Sequence, residues 1–433
     1  MNIRALAAEV VGDILNHHGS LKACLPEALD RCPANERPLL TQLCYGVMRD
    51  YHTLNVIAAQ LFNRPIKPRD YDIRALVLIG LYQLRELRIP EHAILNETVE
   101  ATYQLDKEWA RKLVNAVLRR YTRERDSLDA CIEKSEPATY KHPDWMIQKL
   151  KGNWPDHWQS ILEGNNHQGP LTLRINTALV SRETYLAQLA EAGLEAEATE
   201  HSPQGIRLAQ STLIPELPGY NEGWFSVQDE AAQLAGQLLP VPENGRVLDA
   251  CAAPGGKLTH LLELHPTADV TAIELEPRRM AKVEENLERL GLNAGLIVGD
   301  ASSSDWWDQK LFDAILVDAP CSAVGVIRRN PDIKYLRKNE DIGQLANTQL
   351  AVLNNLWGML APGGTLVYAT CSVFTQENER LIARFLKQDN IDAEHQSIDA
   401  AWGLERDYGR QLFPQTQSHD GFYYAVLKKP TRR

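Results

Sequence analysis

At 433 residues the chain exceeds what one hydrophobic core sustains, so two or three domains are expected, and its 44% apolar content excludes a disordered protein. The longest apolar runs fall far short of a membrane span, and Arg4 and Glu9 break up the start before a signal-peptide core could form, so a cytoplasmic location is expected. The net charge of -11 speaks against a nucleic-acid partner until its distribution is read: residues 1–130 hold 18 basic against 17 acidic side chains, whereas the other 303 hold 28 against 40.

In the first 125 or so residues apolar positions recur every three to four, as in Ile3, Leu6, Val10 and Ile14, or Ile73, Leu76, Val77, Leu81 and Leu84, which predicts helices throughout. Pro90 stops one helix, and Glu91-His92 begins the next. Over 111–123 a helical wheel puts Leu113, Val114, Val117, Leu118 and Tyr121 on one arc and Arg111, Lys112, Arg119, Arg120 and Arg123 on the other. Such a basic face is either a solvated surface or a contact for RNA phosphates. Residues 127–224 mix short helical stretches with strand-like pieces at 171–175 and 205–208, so a small α+β domain is expected there.

From 247 onward strands at 247–250, 270–275, 296–298, 314–317 and 365–369 alternate with helical or loop material, which predicts a mostly parallel, doubly wound sheet. A further strand at 422–427 has no helix after it and could add antiparallel. The domains expected are therefore 1–126, all helical; 127–224, α+β; and 225–433, α/β.

The chemistry concentrates at the strand ends, where α/β sheets bind ligands, above all in three segments. After the first strand, Asp249-Ala250-Cys251-Ala252-Ala253-Pro254-Gly255-Gly256-Lys257 reads as a glycine loop opening a helix, an arrangement that exposes backbone N–H groups to a ligand. Glu274, 25 positions after Asp249, ends the second strand where a carboxylate accepts bonds from ribose hydroxyls, and Asp300 ends the third, on the adenine side. The absence of G-x-G-x-x-G disfavours a dinucleotide. Two further strand ends each present a cysteine, in Asp318-Ala319-Pro320-Cys321-Ser322 and in Thr370-Cys371-Ser372. The seven cysteines include no CxxC pair, so structural zinc and a disulfide framework are not expected. Cys24, Cys32, Cys44 and Cys131 read as small core hydrophobes, and Cys251 as packing near the ligand.

These three segments, with Val227-Gln228-Asp229-Glu230-Ala231-Ala232, resemble the motifs of the RNA 5-methylcytosine methyltransferases that use S-adenosylmethionine. Segments 89–100 and 113–119 resemble the NusB-type RNA-binding fold, which places the likeness in the branch of that family that methylates a cytosine of small-subunit ribosomal RNA. The resemblance implies a NusB-like helical domain, a linking domain and a Rossmann-like methyltransferase domain, acting as a monomer on RNA without metal or membrane. It implies Cys371 as the nucleophile that adds to C6 of cytosine, Cys321 as the group assisting release, Asp318 beside the base at N3, and Lys257 orienting Asp318 and favouring the thiolate. The loop residues Cys251, Ala252, Ala253, Pro254, Gly255, Gly256 and Lys257, with Glu274, Asp300 and Asp318, would hold the cofactor. Lys112, Arg119, Arg123, Arg328 and Arg329 would meet RNA phosphates.

Leu258, Glu274, Val324 and Asn330 depart from the residues usual in that family, which bears on substrate positioning. A transfer-RNA target remains open. A DNA cytosine methyltransferase is disfavoured by the second cysteine and the NusB-like domain, and a non-catalytic assembly factor by the intact Asp318, Cys321, Cys371 and glycine loop.

Overall fold

The computed structural model describes residues 2–431, so Met1, Arg432 and Arg433, at the ends of the expected 1–126 and 225–433 domains, lie outside the described residues. By its contacts the chain forms two units, Met1–Asn166 with Ile327–Asn339, and His167–Val326 with Glu340–Arg433.

The first unit is helical. Its opening helix, Ile3–Leu15, is capped by Asn2, whose side chain accepts from the Arg4 N–H, satisfying one of the donors a helix start leaves open. Tyr71–Glu86 buries an unbroken run from Ala75 to Gln83, as a helix surrounded on all sides must. Arg111–Asp129 buries Val114, Val117, Leu118 and Tyr121, the face expected from the wheel. Cys32 and Cys44 are buried in this apolar core, and Cys24 and Cys131 pack against it. The helices of 136–166 belong to this unit, whereas the small sheet that follows belongs to the second.

Residues 327–339 also pack within the first unit. Asp332 accepts from the Leu21 N–H at 2.9 Å, the Tyr335 hydroxyl donates to the Leu15 carbonyl at 2.8 Å, and Lys334 donates to the Arg49 carbonyl at 3.0 Å and to Asn166 at 2.6 Å. This placement corrects one expectation. Arg328 is only 1% exposed, and its carbonyl accepts from Arg49, so its side chain is withdrawn from the phosphate contact the sequence suggested. Arg329 is half-buried.

The second unit contains two sheets. The smaller is antiparallel, in the order β2-β3-β1-β4, formed by β1 (Leu171–Ile175), β2 (Ala196–Ala198), β3 (Gly205–Leu208) and β4 (Phe225–Val227). The helix Arg182–Glu191 contributes Tyr185 and Leu189 to its core. The larger sheet comprises β5 (Arg246–Ala250), β6 (Asp269–Glu274), β7 (Gly295–Val298), β8 (Phe312–Asp318), β9 (Leu360–Thr370), β10 (Glu394–Gln396), β11 (Leu404–Glu405), β12 (Arg410–Leu412) and β13 (Phe422–Lys428). Its order is β11-β12-β13-β9-β8-β5-β6-β7, with β10 also paired to β13.

Strands β9-β8-β5-β6-β7 are parallel, and β13 adds antiparallel to β9, as its lack of a following helix suggested. Alternate side chains sort to two cores: Val247, Leu316 and Val367 pack with Leu234, Leu258 and Val283 of the helices on one face, while Ile315, Val317, Leu366 and Tyr368 pack with Leu353 and Leu381 of those on the other. Helices on both faces make the sheet doubly wound. Strand order reverses at β5, between β6 and β8, which opens a crevice at the carboxyl ends of these strands.

Candidate active site

Register decides which strand ends meet. Ala250 pairs with Val317, and Asp318 with Ala369, so the loop after β5, the last residue of β8 and the turn after β9 lie side by side. The two cysteines, 50 residues apart in sequence, come together there with their Sγ atoms 3.4 Å apart. Gly325 makes this approach possible. Its N–H donates to the Cys371 carbonyl at 2.9 Å, and a Cβ there would come within 2.2 Å of the Gly421 carbonyl oxygen and 2.8 Å of that of Cys371.

Lys257, the second residue of the helix Gly256–Leu264, donates to Asp318 Oδ2 at 2.7 Å. Burial by itself would lower the Lys257 ammonium, but attraction to Asp318, their hydrogen bond and the nearby Cys371 and Asp249 outweigh it and hold the group above its ordinary value. It is a fixed positive charge among reactive groups. The Cys321 thiol is pushed well up, first by its hydrogen bond to Cys371, then by burial and by the charges of Cys371 and Glu377, so it stays protonated at neutral pH.

The glycine loop is built for close approach. Gly255 takes φ +102°, a conformation that L side chains rarely adopt, and the helix begins at the next residue with no side-chain cap on its first N–H groups. Cys251, also in the left-handed region at φ +61°, is raised by burial, then by Asp318, Glu274 and Asp249, and is unsuited to act as a thiolate. Glu274 is buried; it accepts from the Ala253 N–H at 3.2 Å and from Arg279 at 3.1 Å. Asp300 is exposed beyond β7, its carboxylate accepting from Ser302.

Two features go beyond the sequence reading, the isolation of Asp249 and the partners of Arg174. The Asp249 carboxylate is fully buried, and neither of its oxygens has a hydrogen-bond partner among the described residues. Burial, then the proximity of Asp318, holds it well above the ordinary carboxylate range, against the pull of Lys257. Arg174 on β1, fully buried, forks onto Glu263 at 2.8 and 3.0 Å and donates to the Gly256 carbonyl at 2.6 Å, tying the small sheet to the helix that follows the glycine loop. An isolated arginine in a strand gives no local signal of this; only tertiary packing supplies its partners.

Among the described residues, no group of three or more His, Cys, Asp or Glu side chains is gathered to hold a metal ion, and no helix is long and apolar enough to cross a membrane. Lys112, Arg119 and Arg123 are exposed on the first unit.

Three family models match the chain: NusB family over residues 1–123, the ferredoxin-like domain of RsmF/B-like methyltransferases over 142–214, and 16S rRNA methyltransferase RsmB/F over 236–428. The ribosomal RNA small subunit methyltransferase B of Pseudomonas putida is 47% identical over 431 residues, covering 99% of both chains, and that of Proteus mirabilis is 43% identical over 99% of both. Among solved structures, that of PH0851 is similar with a TM-score of 0.82 at 21% identity, over 98% of this chain and 99% of that one. A methyltransferase homolog protein from Pyrococcus horikoshii is similar with a TM-score of 0.57 at 27% identity, over 66% of this chain and 99% of that one. Identity at this level along the full length, joined to the three family models matched in succession along this chain, means that the chain belongs to the RsmB/F family of 16S ribosomal RNA methyltransferases.

Proposed function

We propose that the protein transfers the methyl group of S-adenosylmethionine to C5 of a cytosine in small-subunit ribosomal RNA, with Cys371 as covalent nucleophile. The observation that carries this reading is the pair of thiols 3.4 Å apart at the ends of adjacent parallel strands, beside the half-buried Lys257–Asp318 ion pair.

The residues around the glycine loop fit S-adenosylmethionine. The buried, partnerless Asp249 carboxylate matches the ammonium of its amino-acid end, the open helix start after Gly255 its carboxylate, and Glu274, whose oxygens keep spare lone pairs, its ribose hydroxyls. The segment from Cys251 to Lys257 would line this site, with Asp300 on the adenine side. When bound, the sulfonium supplies an electrophilic methyl group.

Cytosine C5 is too weakly nucleophilic to take that methyl group unaided. Addition of the Cys371 thiolate to C6 turns the C5–C6 double bond into an enamine, with Lys257 supplying positive charge beside the sulfur. Asp318, held by Lys257, accepts a hydrogen bond from N3 as that nitrogen takes up a proton from solvent and electron density builds on the ring. With C5 methylated, loss of the C5 proton to solvent and expulsion of the Cys371 thiolate then restore the double bond, a release that the protonated Cys321 assists by donating to the departing sulfur. The base must be unstacked to reach such a crevice. In this reading residues 1–126 bind RNA, with Lys112, Arg119 and Arg123 on phosphates, residues 127–224 link, and residues 225–433 carry the chemistry.

Cys371→Ser should abolish methylation and retain cofactor binding, and Cys321→Ala should accumulate a covalent protein–RNA adduct on gels. An adduct with Cys371→Ala but none with Cys321→Ala would reverse the roles. Bisulfite sequencing of total RNA from cells with and without the gene should show one small-subunit ribosomal position losing its signal; a loss confined to transfer RNA would refute the target.

A further inference from the structure

Two loops that meet through flexible side chains do not hold two thiols in contact unless something fastens them from behind. Besides the backbone bond from Gly325 to Cys371, one carboxylate fastens them here. Glu377, in the turn between β9 and the helix Glu379–Leu386, is fully buried and is not among the residues the chemistry above uses. Its Oε1 accepts from the Ser322 N–H at 2.8 Å and from Gln349 Nε2 at 3.1 Å. Its Oε2 accepts from the Ser322 hydroxyl at 2.6 Å and from the Ser372 hydroxyl.

Ser322 directly follows Cys321, and Ser372 directly follows Cys371. The two hydroxyls lie 3.2 Å apart, converging on the same oxygen. Gln349 also donates to the carbonyl of Pro320, on the other side of Cys321, at 2.9 Å. The Glu377 carbonyl is itself held by the Tyr368 hydroxyl at 2.8 Å, so the clamp is anchored to β9.

We infer that Glu377 is a positioning residue, which holds the two cysteine turns in register through the serine that follows each cysteine. The inference rests on Cys371 and Cys321 being the reacting thiols. A carboxylate suits the task because it accepts four donors and offers none; glutamine would present an NH2 where Oε2 now receives two hydroxyls, leaving buried donors misdirected. Glu377 also contributes to keeping Cys321 protonated, after the Cys371 hydrogen bond and burial.

The test is a kinetic cycle on the full chain with Ser322→Ala, Ser372→Ala, Glu377→Gln and the Ser322→Ala/Glu377→Gln double variant, run beside Cys371→Ser. Since displacement of reacting groups by about 1 Å costs on the order of a hundredfold, Glu377→Gln should lower kcat about that much and each serine variant about tenfold, with KM for RNA and the Kd of S-adenosylmethionine unchanged. The double variant should be no slower than Glu377→Gln, because the serine tether is already lost. Alkylation of Cys321 by iodoacetamide should move to lower pH in Glu377→Gln, since an anion beside the thiol has gone. If Glu377→Gln fails to fold, the two serine variants and the Ser322→Ala/Ser372→Ala double variant decide alone: since the two hydroxyls share one oxygen, the double variant's effect must be smaller than the product of the two single effects.

Serine variants with wild-type kcat, or effects that multiply, overturn the clamp while a dead Cys371→Ser leaves the proposed chemistry standing. An active Cys371→Ser overturns both.

Discussion

Arg174→Met tests whether the small sheet braces the cofactor helix. The Arg174–Glu263 pair is almost completely removed from water, with side chains 0% and 3% exposed, and the guanidinium spends its other donors on Gln228, Gly256 and Thr259. Removing one member of such a pair leaves the other buried without a counter-charge, at a cost of about 3–5 kcal/mol. In a unit of about 250 residues each kcal/mol moves the midpoint by about 2–4 °C, so thermal unfolding should fall on the order of 10 °C.

Lysine would not rescue it, since a point charge cannot reproduce the planar fork on Glu263. Calorimetry should show weaker binding of S-adenosylmethionine, because the Gly256 carbonyl, at the start of the helix after the glycine loop, loses its charged donor and keeps only the longer bond from the Thr259 hydroxyl among its side-chain donors. The double variant Arg174→Met/Glu263→Gln should be more stable than the sum of the two single losses predicts, since the orphaned charge is removed with its partner. A midpoint within 2 °C of wild type, a threshold set from the same scaling, or strict additivity would refute the reasoning.

Gly325→Ala should cost about 1–3 kcal/mol and slow methylation, because its Cβ must displace backbone rather than a side chain; unchanged melting and turnover would show that the cysteine turns have room to part. Glutamate at Lys112, Arg119 and Arg123 together should weaken RNA binding and flatten its salt dependence by about 0.7 to 0.9 per lost phosphate contact, leaving cofactor affinity alone. Equal slopes across a salt series would return that face to a solvated surface.

Local pattern fixed most of the architecture before any contact was known. Helical periodicity set the helices up to about residue 125 and the buried face of Arg111–Asp129, and apolar runs alternating with helices set β5 to β9 as parallel strands with β13 antiparallel; that 136–166 and 327–339 join the first unit, and the order of the strands, came only from the tertiary structure. The glycine loop and the two cysteines were legible because each sits at a strand end, where backbone direction alone determines what faces the crevice.

Partnership was not legible. Arg174 and Glu263 are 89 residues apart and Ser322 and Glu377 are 55 apart, and neither spacing carries a signal, since a buried polar group finds its partner by packing rather than by period. Arg328 makes the same point in reverse. Beside Cys321 in sequence it read as a phosphate contact, yet Asp332, Lys334 and Tyr335 bind their segment into the helical unit and take the guanidinium out of solvent with it. Periodicity sets elements because it is a property of a few consecutive residues, whereas burial of a charge is settled only once distant segments have closed around it.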